Sequence, residues 1–362
     1  MAVILSKPSV DRVASSIRED IRSRGLMPGN RYLTTAEVAE NFGVAKATAN
    51  RAMQVLASDG LLVRRPKTGT FVGDAARPLD TDGFDVVHLV IEKDYFDTER
   101  SHIERRMSGV IDGLDGGSLQ YTFVPKNAPE AFLERVINSA RNSGLRHGFL
   151  VGLKAHHLQN ILLDSGLPCV LLGSVFPGRA RVASIDLDQA EIGRLTVAYA
   201  CRSGAQRIAL LLRSSRGYGD DLLSDAAMHE AVSRGMDPGG LLVRSVPSDA
   251  SVARAVVRQI LDSPDRPDAL ICRSHSTTRH VLECLRESGL RIPDDVLVVL
   301  ADPVDEGSDL VELPHIWPAR DDAEEGLLFA ELLQDQALDP GVEPREHIIP
   351  VRLGAGRKGL NV

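Results

Sequence analysis

The stretch from Leu33 to Val72, LTTAEVAENFGVAKATANRAMQVLASDGLLVRRPKTGTFV, constrains this chain more than any other. Thr34 and Glu37 stand three residues apart at its start, the spacing at which a threonine hydroxyl and a glutamate carboxylate can each satisfy a free backbone N–H of a helix start. A helix therefore opens there. Phe42-Gly43-Val44 breaks its period with a turn glycine, and a second amphipathic pattern begins beside Ala45. In that second helix Ala49, Ala52, Met53 and Leu56 share one face, leaving Ala47, Asn50, Arg51 and Gln54 opposite, with Lys46 at the edge. Leu61 to Arg65 and Thr70 to Val72 then read as strands joined by the turn Pro66-Lys67-Thr68-Gly69. Arg64, Arg65 and Lys67 collect at the tip. Upstream, Val10, Val13, Ala14, Ile17 and Ile21 form the stripe of a covering helix that Gly25 can end. Two short helices, a third helix and a basic β-ribbon make a winged helix-turn-helix, whose outward face suits a DNA major groove: Asn and Gln can pair with adenine, Lys and Arg with guanine or phosphate. An ordinary solvated helix face is the alternative, and the basic ribbon beside it favours DNA.

The charge distribution divides the chain in the same way. Residues 1–77 hold 12 Lys+Arg against 7 Asp+Glu, a balance of +5, which leaves −13 in the rest of a chain whose formal charge is −8. Basic charge is concentrated where nucleic acid would sit. At 362 residues and 43% hydrophobic content there is room for two or three domains with real cores. No apolar run approaches the roughly 20 residues of a membrane helix, and Met1 to Leu5 is too short for a signal peptide, so a soluble cytoplasmic protein is expected. Cys169, Cys201, Cys272 and Cys284 lack metal-ligand spacing and read as reduced thiols.

Residues 9–72 resemble the DNA-binding domain of the GntR family of bacterial transcription regulators. The resemblance rests on Gly25-Leu26-Met27-Pro28-Gly29, the Phe42-Gly43-Val44 turn, the spacing of the third helix, Asp59-Gly60-Leu61-Leu62 and Gly69-Thr70-Phe71-Val72. It implies DNA contacts from Lys46, Thr48 and Asn50, and a wing tip at Lys67, Thr68 and Gly69 that enters the minor groove. With the residues named above, the expected DNA-binding set is Thr34, Lys46, Thr48, Asn50, Arg51, Arg64, Arg65, Lys67, Thr68 and Gly69. Ala36 and Ala45 depart from the family's usual arginine and serine or threonine, so the operator is expected to be atypical.

Residues 74–83 are polar with proline and glycine, the composition of a linker after a head at 1–73. From Phe84 onward short apolar runs alternate with helical patterns, which implies parallel sheets covered on both faces. The rhythm restarts after Asp188. Two similar α/β halves with a cleft between them are expected over residues 84–362. This part resembles the effector-binding domain of the LacI family, itself similar to periplasmic sugar-binding proteins (type I). The carrying segments are Gly166 to Gly173, Asp188 to Gly193, Gly204 to Leu210 and Gly289 to Val299. The resemblance implies three crossings between lobes, near Ser184, Ile316 and Pro340. Lobe 1 would then hold about 84–184 and 317–340, and lobe 2 about 185–316 and 341–354, with the helix from Asp321 in the first and Ile348 to Leu353 in the second.

By the same resemblance the effector-binding residues are Tyr95 and Phe96 after the first strand, Ser274 and His275 in place of the family's Asn-Asp pair, and Asp302 at a strand's C-terminal edge. Leu223 and Ala226 stand where the family has a ligand-binding arginine and a glycine, so Arg273 or Arg213 would supply a cation from elsewhere. Aromatic faces suit sugar rings, and a carboxylate can accept two hydroxyl hydrogen bonds; core packing is the alternative for the aromatics. His156-His157 has no partners at metal spacing, Gly217-Tyr218-Gly219 lacks the rest of a phosphate loop and reads as a loop over the cleft, Ser214-Ser215 has no nucleophile context, and Trp317 reads as a packed hinge residue. The expectation is a DNA-binding transcription regulator, a repressor in sign, in which a small, sugar-like effector between two α/β lobes controls a homodimer on double-stranded operator DNA. It needs no cofactor or metal and is not an enzyme. The alternatives are a DNA-binding head fused to an enzyme-like domain, for which no pyridoxal-lysine context is present, or to a ligand-transport-like one.

Overall fold

The computed structural model describes residues 10–355 apart from 25, 27–28, 59, 66–67, 74–82, 115, 180–181, 238 and 340–341. Lys67 and nearly all of the expected linker therefore lie outside the described residues, as does Gly25.

The head comprises α1 (Val10–Ser23), β1 (Arg31–Tyr32), α2 (Thr35–Asn41), α3 (Lys46–Ser58), β2 (Leu62–Arg65) and β3 (Gly69–Val72), with an antiparallel sheet in the order β1-β3-β2. The box that opens α2 forms as the spacing requires: Glu37 N–H donates to Thr34 Oγ1 at 3.4 Å, and Thr34 N–H to Glu37 Oε2 at 2.6 Å. Ala49, Ala52, Met53 and Leu56 of α3 are fully buried against Val13, Ile17 and Ile21 of α1. The apolar stripe of each helix thus faces the other, and the polar face of α3 is left outward.

The remainder folds as two α/β lobes. The first is built on β4 (Val86–Glu92), β5 (Ser118–Val124), β6 (His147–Gly152), β7 (Cys169–Leu172), β8 (Ser184–Leu187) and β14 (Glu346–Ile349), all parallel, in the order β14-β8-β7-β6-β4-β5. Helices α4 (Lys93–Gly113), α5 (Pro129–Asn142), α6 (His156–Leu163) and α11 (Asp322–Leu338) cover it. The second lobe has β9 (Ile208–Arg213), β10 (Leu241–Val246), β11 (Ala269–Cys272), β12 (Leu297–Pro303), β13 (Pro314–Pro318) and β15 (Val351–Ala355), in the order β10-β9-β11-β12-β13-β15. Here α7 (Gln189–Arg202), α8 (Tyr218–Ser233), α9 (Ala250–Leu261) and α10 (His275–Glu287) form the covering layers. One strand departs from the all-parallel expectation, because β15 returns antiparallel to β13.

All three crossings fall later than the resemblance implied. Ser184–Leu187 pairs with β7 and β14, so the first crossing comes at Asp188; Pro314–Pro318 pairs with β12 and β15, moving the second beyond Pro318. The third is displaced most. Ile348 and Ile349 pair with Asp186 and Leu187 in the first lobe, and the chain crosses at Pro350 before Val351 joins the second. Each strand completes its ladder before the chain leaves, since an edge released early would forfeit its backbone hydrogen bonds.

Two helix pairs approach closely enough to demand glycine. A Cβ on Gly326 of α11 would stand 2.1 Å from Arg106 O of α4, and one on Gly109 of α4 only 2.0 Å from Ala323 O. The helices are in backbone contact there. Gly193 of α7 plays the same part beneath Leu223 of α8, at 2.2 Å from its carbonyl.

Candidate functional site

On the head, Lys46, Arg51, Arg64, Arg65 and Thr68 are exposed, and Thr48, Asn50 and Gly69 are partly so. They lie on α3 and the ribbon beside it, one outward surface. Several of the expected contacts already have partners. Arg64 donates from Nη1 to Asn50 Oδ1 at 2.9 Å and from Nη2 to Thr35 Oγ1 at 3.2 Å, tying wing, recognition helix and α2 together. Arg65 lies over the Phe71 ring at 5.1 Å. Thr34, expected at the DNA, accepts the cap hydrogen bond of α2 with its hydroxyl oxygen, which leaves its O–H able to donate outward.

The second site lies between the lobes, beyond the C-terminal ends of the parallel strands, where such sheets leave a crevice. Two adjoining chambers, an inner one of about 170 Å³ and an outer one of about 830 Å³, share Tyr95, Lys154 and Arg213 in their walls. At the centre is Asp302, near the end of β12. Its Oδ2 accepts from Arg213 Nη2 at 2.9 Å and its Oδ1 from Arg273 Nη1 at 3.2 Å. Arg213 also donates to Glu99 Oε1 at 2.9 Å, a bridge from the second lobe to α4 of the first. Arg273 extends the network through Nε to Asp220 Oδ1 at 3.0 Å and through Nη2 to Gln189 Oε1 at 2.9 Å. Burial by itself would raise the pKa of Asp302, but Arg273 and Arg213 outweigh it and hold the carboxyl below the ordinary carboxylate range; Asp220 is held down in the same way. Both are carboxylates at neutral pH.

Asp186 behaves oppositely. Burial raises its pKa, although Ser174 and Gln189 donate to it. At the back of the cleft Arg106 donates to Glu325 Oε2 at 2.8 Å and to Asp322 Oδ1 at 3.2 Å. His102, Asp305 and Asp322 lie close enough together to share an ion, but Arg105 donates to both aspartates and His102 Nδ1 meets Asp322 at 2.9 Å. Guanidinium groups supply the positive charge there.

The expected effector residues separate. Tyr95, Arg273 and Asp302 line the inner chamber, whereas Ser274 lines the outer one. Phe96 does neither. It is buried in the first lobe's core, edge-on to Tyr121 at 5.4 Å and to Phe123 at 5.3 Å, because the next position along α4 turns inward. His275 is likewise drawn away, its Nε2 meeting Pro303 O at 2.6 Å and its ring packing on His102. Ser274 also caps α10 by accepting from Thr277 N–H at 3.2 Å. Gly217 to Gly219 corrects a further expectation: Tyr218 and Gly219 form the first turn of α8, not a free loop, while still lining the inner chamber. Glu99, Lys154, Gln189 and Asp220 were not singled out in the sequence. Lys154, Gln189 and Asp220 share one signal, position in a loop or first helical turn after a strand, whereas Glu99 lies a turn further along α4.

A model for bacterial regulatory proteins of the gntR family matches residues 9–72, and one for a periplasmic binding protein-like domain matches residues 197–357. The chain is a transcription regulator that joins a gntR-type DNA-binding head to a periplasmic-binding-protein-like domain. It is 26% identical over 369 residues to the HTH-type transcriptional regulator CelR of Thermobifida fusca, a match spanning 92% of this chain and all of that one. It is 23% identical to the arabinose metabolism transcriptional repressor of Geobacillus stearothermophilus over 81% of each. Among solved structures, a complex of the transcriptional regulator CelR with cellobiose superposes with a TM-score of 0.63, covering 96% of this chain and 98% of that one at 20% identity, and shares the fold. Among the described residues no helix is long and apolar enough to cross a membrane.

Proposed function

We propose that this regulator is a cytoplasmic repressor that binds operator DNA as a homodimer and is controlled by a small polyhydroxylated effector held between the lobes. The observation that carries the reading is the bridge Glu99–Arg213–Asp302, which crosses the cleft and ends at its central carboxylate. A ligand that takes Arg213 from Glu99 displaces a contact joining the lobes, so it binds open and closed arrangements unequally. Unequal binding is what effector control requires. The dense set of carboxylates and guanidinium groups suits the hydroxyls of a sugar, in keeping with the cellobiose complex and the arabinose repressor named above. On the head, Lys46, Thr48, Asn50 and Arg51 would meet base edges and phosphates, with Arg64, Arg65, Lys67, Thr68 and Gly69 at the wing. Two heads related by a two-fold axis would read half-sites roughly 34–36 Å apart. We read the cleft as a binding site, not a catalytic one.

The test begins with native mass spectrometry of protein from its own cells, which identifies the retained small molecule. Operator binding is then followed by fluorescence anisotropy as that molecule is added. Wild-type protein should release the operator, and Asp302→Asn should bind operator normally but require about tenfold more effector. An operator complex indifferent to the retained molecule, or a protein that sediments as a monomer bound one-to-one to DNA, would overturn the reading.

A further inference from the structure

The two chambers differ in how their cations are matched. In the inner one each arginine has a carboxylate: Arg106 has Asp322 and Glu325, Arg213 has Glu99 and Asp302, Arg273 has Asp220 and Asp302. At the outer rim Lys93 pairs with Asp97, and Lys126 with Asp94. Lys154 is the exception. It follows β6 of the first lobe and stands on the wall common to both chambers, yet it forms no ion pair with any described residue. Its Nζ donates across the cleft to Ser215 O at 3.1 Å and to Ser215 Oγ at 3.2 Å, and lies 5.0 Å from the centre of the Tyr95 ring. A partly buried ammonium whose hydrogen bonds go to a serine, with an aromatic ring beside it, gains less than one paired directly with an anion. Burial, with Arg213 and Arg273 adding to it, pushes its pKa down to about 8 against the opposing pull of Asp220 and Glu92.

The surface facing Lys154 is rich in donors. Ser214, Ser248, Ser276 and Thr277 line the outer chamber, the last two in the first turn of α10, whose N-terminal end carries partial positive charge. Arg213 borders the same space and its buried Nε has no partner among the described residues. Hydroxyls, a helix start and an ammonium with no ion pair among the described residues converge on one volume, whose rim also carries Glu92 and the Lys126-paired Asp94. That combination matches an anion better than a neutral hydroxyl.

We propose that the effector carries an anionic group, phosphate or carboxylate, that sits on Lys154 against the first turn of α10, while its hydroxyl-bearing part enters the inner chamber. This deepens the effector reading above and rests on it. Lys154 belongs to the first lobe and α10 to the second, so an anion touching both draws the lobes together in place of the Lys154–Ser215 contact.

Small anions test the subsite without knowledge of the effector. Full-length protein is titrated with sulfate, inorganic phosphate or acetate at constant ionic strength against chloride, and unfolding is followed by the fluorescence of Trp317. The expected result is stabilisation by sulfate and by phosphate or acetate that weakens about tenfold or more in Lys154→Met and persists in Lys154→Arg. Phosphate and acetate tell the two anion classes apart. Sulfate keeps its charge between pH 6 and 9 on this scale, so its binding should fall as pH rises through about 8, where Lys154 loses its proton. Anion effects equal in wild type and Lys154→Met would place them elsewhere, on the basic head for instance, and overturn the proposal. Loss in Lys154→Arg as well as Lys154→Met would assign the effect to packing and overturn it too. Operator release by the retained native molecule is independent of these probes, so the anionic subsite can fail while effector control stands.

Discussion

The head and the cleft hold their charged residues in opposite ways. Lys46 and Arg51 on the recognition helix are exposed, so a bound phosphate or base edge would add contacts to a surface now facing solvent. In the cleft, Asp302, Arg213, Arg273 and Asp220 are already joined to one another, and a ligand must exchange for existing bonds. The first arrangement favours fast, salt-sensitive attachment through displaced counterions, and the second favours discrimination and coupling to lobe position. A regulator needs both.

The contrast is broken most strongly by Arg273→Ala, which leaves Asp220 and Asp302 buried without their shared guanidinium. Stability of the effector-binding region should fall by about 3–5 kcal/mol, seen as a lower unfolding midpoint of Trp317 fluorescence. A change within about 0.5 kcal/mol would mean that these charges are far better solvated than their burial implies. Next in size, Gly326→Val forces α11 away from Arg106 O and should cost about 1–3 kcal/mol, measured by urea denaturation, with operator sequence preference unchanged.

On the head, Asn50→Ala should cost about 1–3 kcal/mol of discrimination at one base pair if Asn50 reads adenine. The Arg64 bond sharpens this: the same variant also frees Arg64, so a uniform loss over all operator positions, with no change in preference, would assign Asn50 to holding the wing. A competition assay over single-base operator variants distinguishes these. Thr34→Ala should destabilise the head by about 1 kcal/mol through the lost cap, read by amide hydrogen exchange in α2, and leave effector affinity untouched.

Acid gives the smallest test. Asp302 and Asp220 titrate below their unfolded values in the folded protein, so their stabilising contribution is present above the ordinary carboxylate range and lost as pH falls through their depressed folded values. Asp186 and Glu325, raised chiefly by burial, contribute in the opposite sense: their contribution is present below the unfolded value and lost as pH rises through the folded one. An acid titration of wild type against Asp302→Asn, followed at Trp317, should show a shallower loss of stability in the variant. Superimposable profiles would remove Asp302 from the linkage.

The head was legible because its determinants are local. Thr34 and Glu37, the stripe Ala49-Ala52-Met53-Leu56 and the basic ribbon all act within a few residues of one another, and the structure forms each as its spacing requires. The alternation of apolar runs and helices likewise sufficed for two parallel-sheet lobes. What a single periodic pattern could not supply was the fate of neighbours: Tyr95 reaches the cleft while Phe96 enters the core, since adjacent positions on a helix point about 100° apart and only the surrounding packing says which is inward. The positions of the crossings were decided by strand pairing across nearly the whole domain, as Ile349 with Leu187 shows. The ionic lattice of the cleft belongs wholly to the tertiary structure. Glu99, Arg213, Arg273 and Asp302 come from different elements, and their charge states and partners exist only once two lobes bring them out of water and within hydrogen-bond reach.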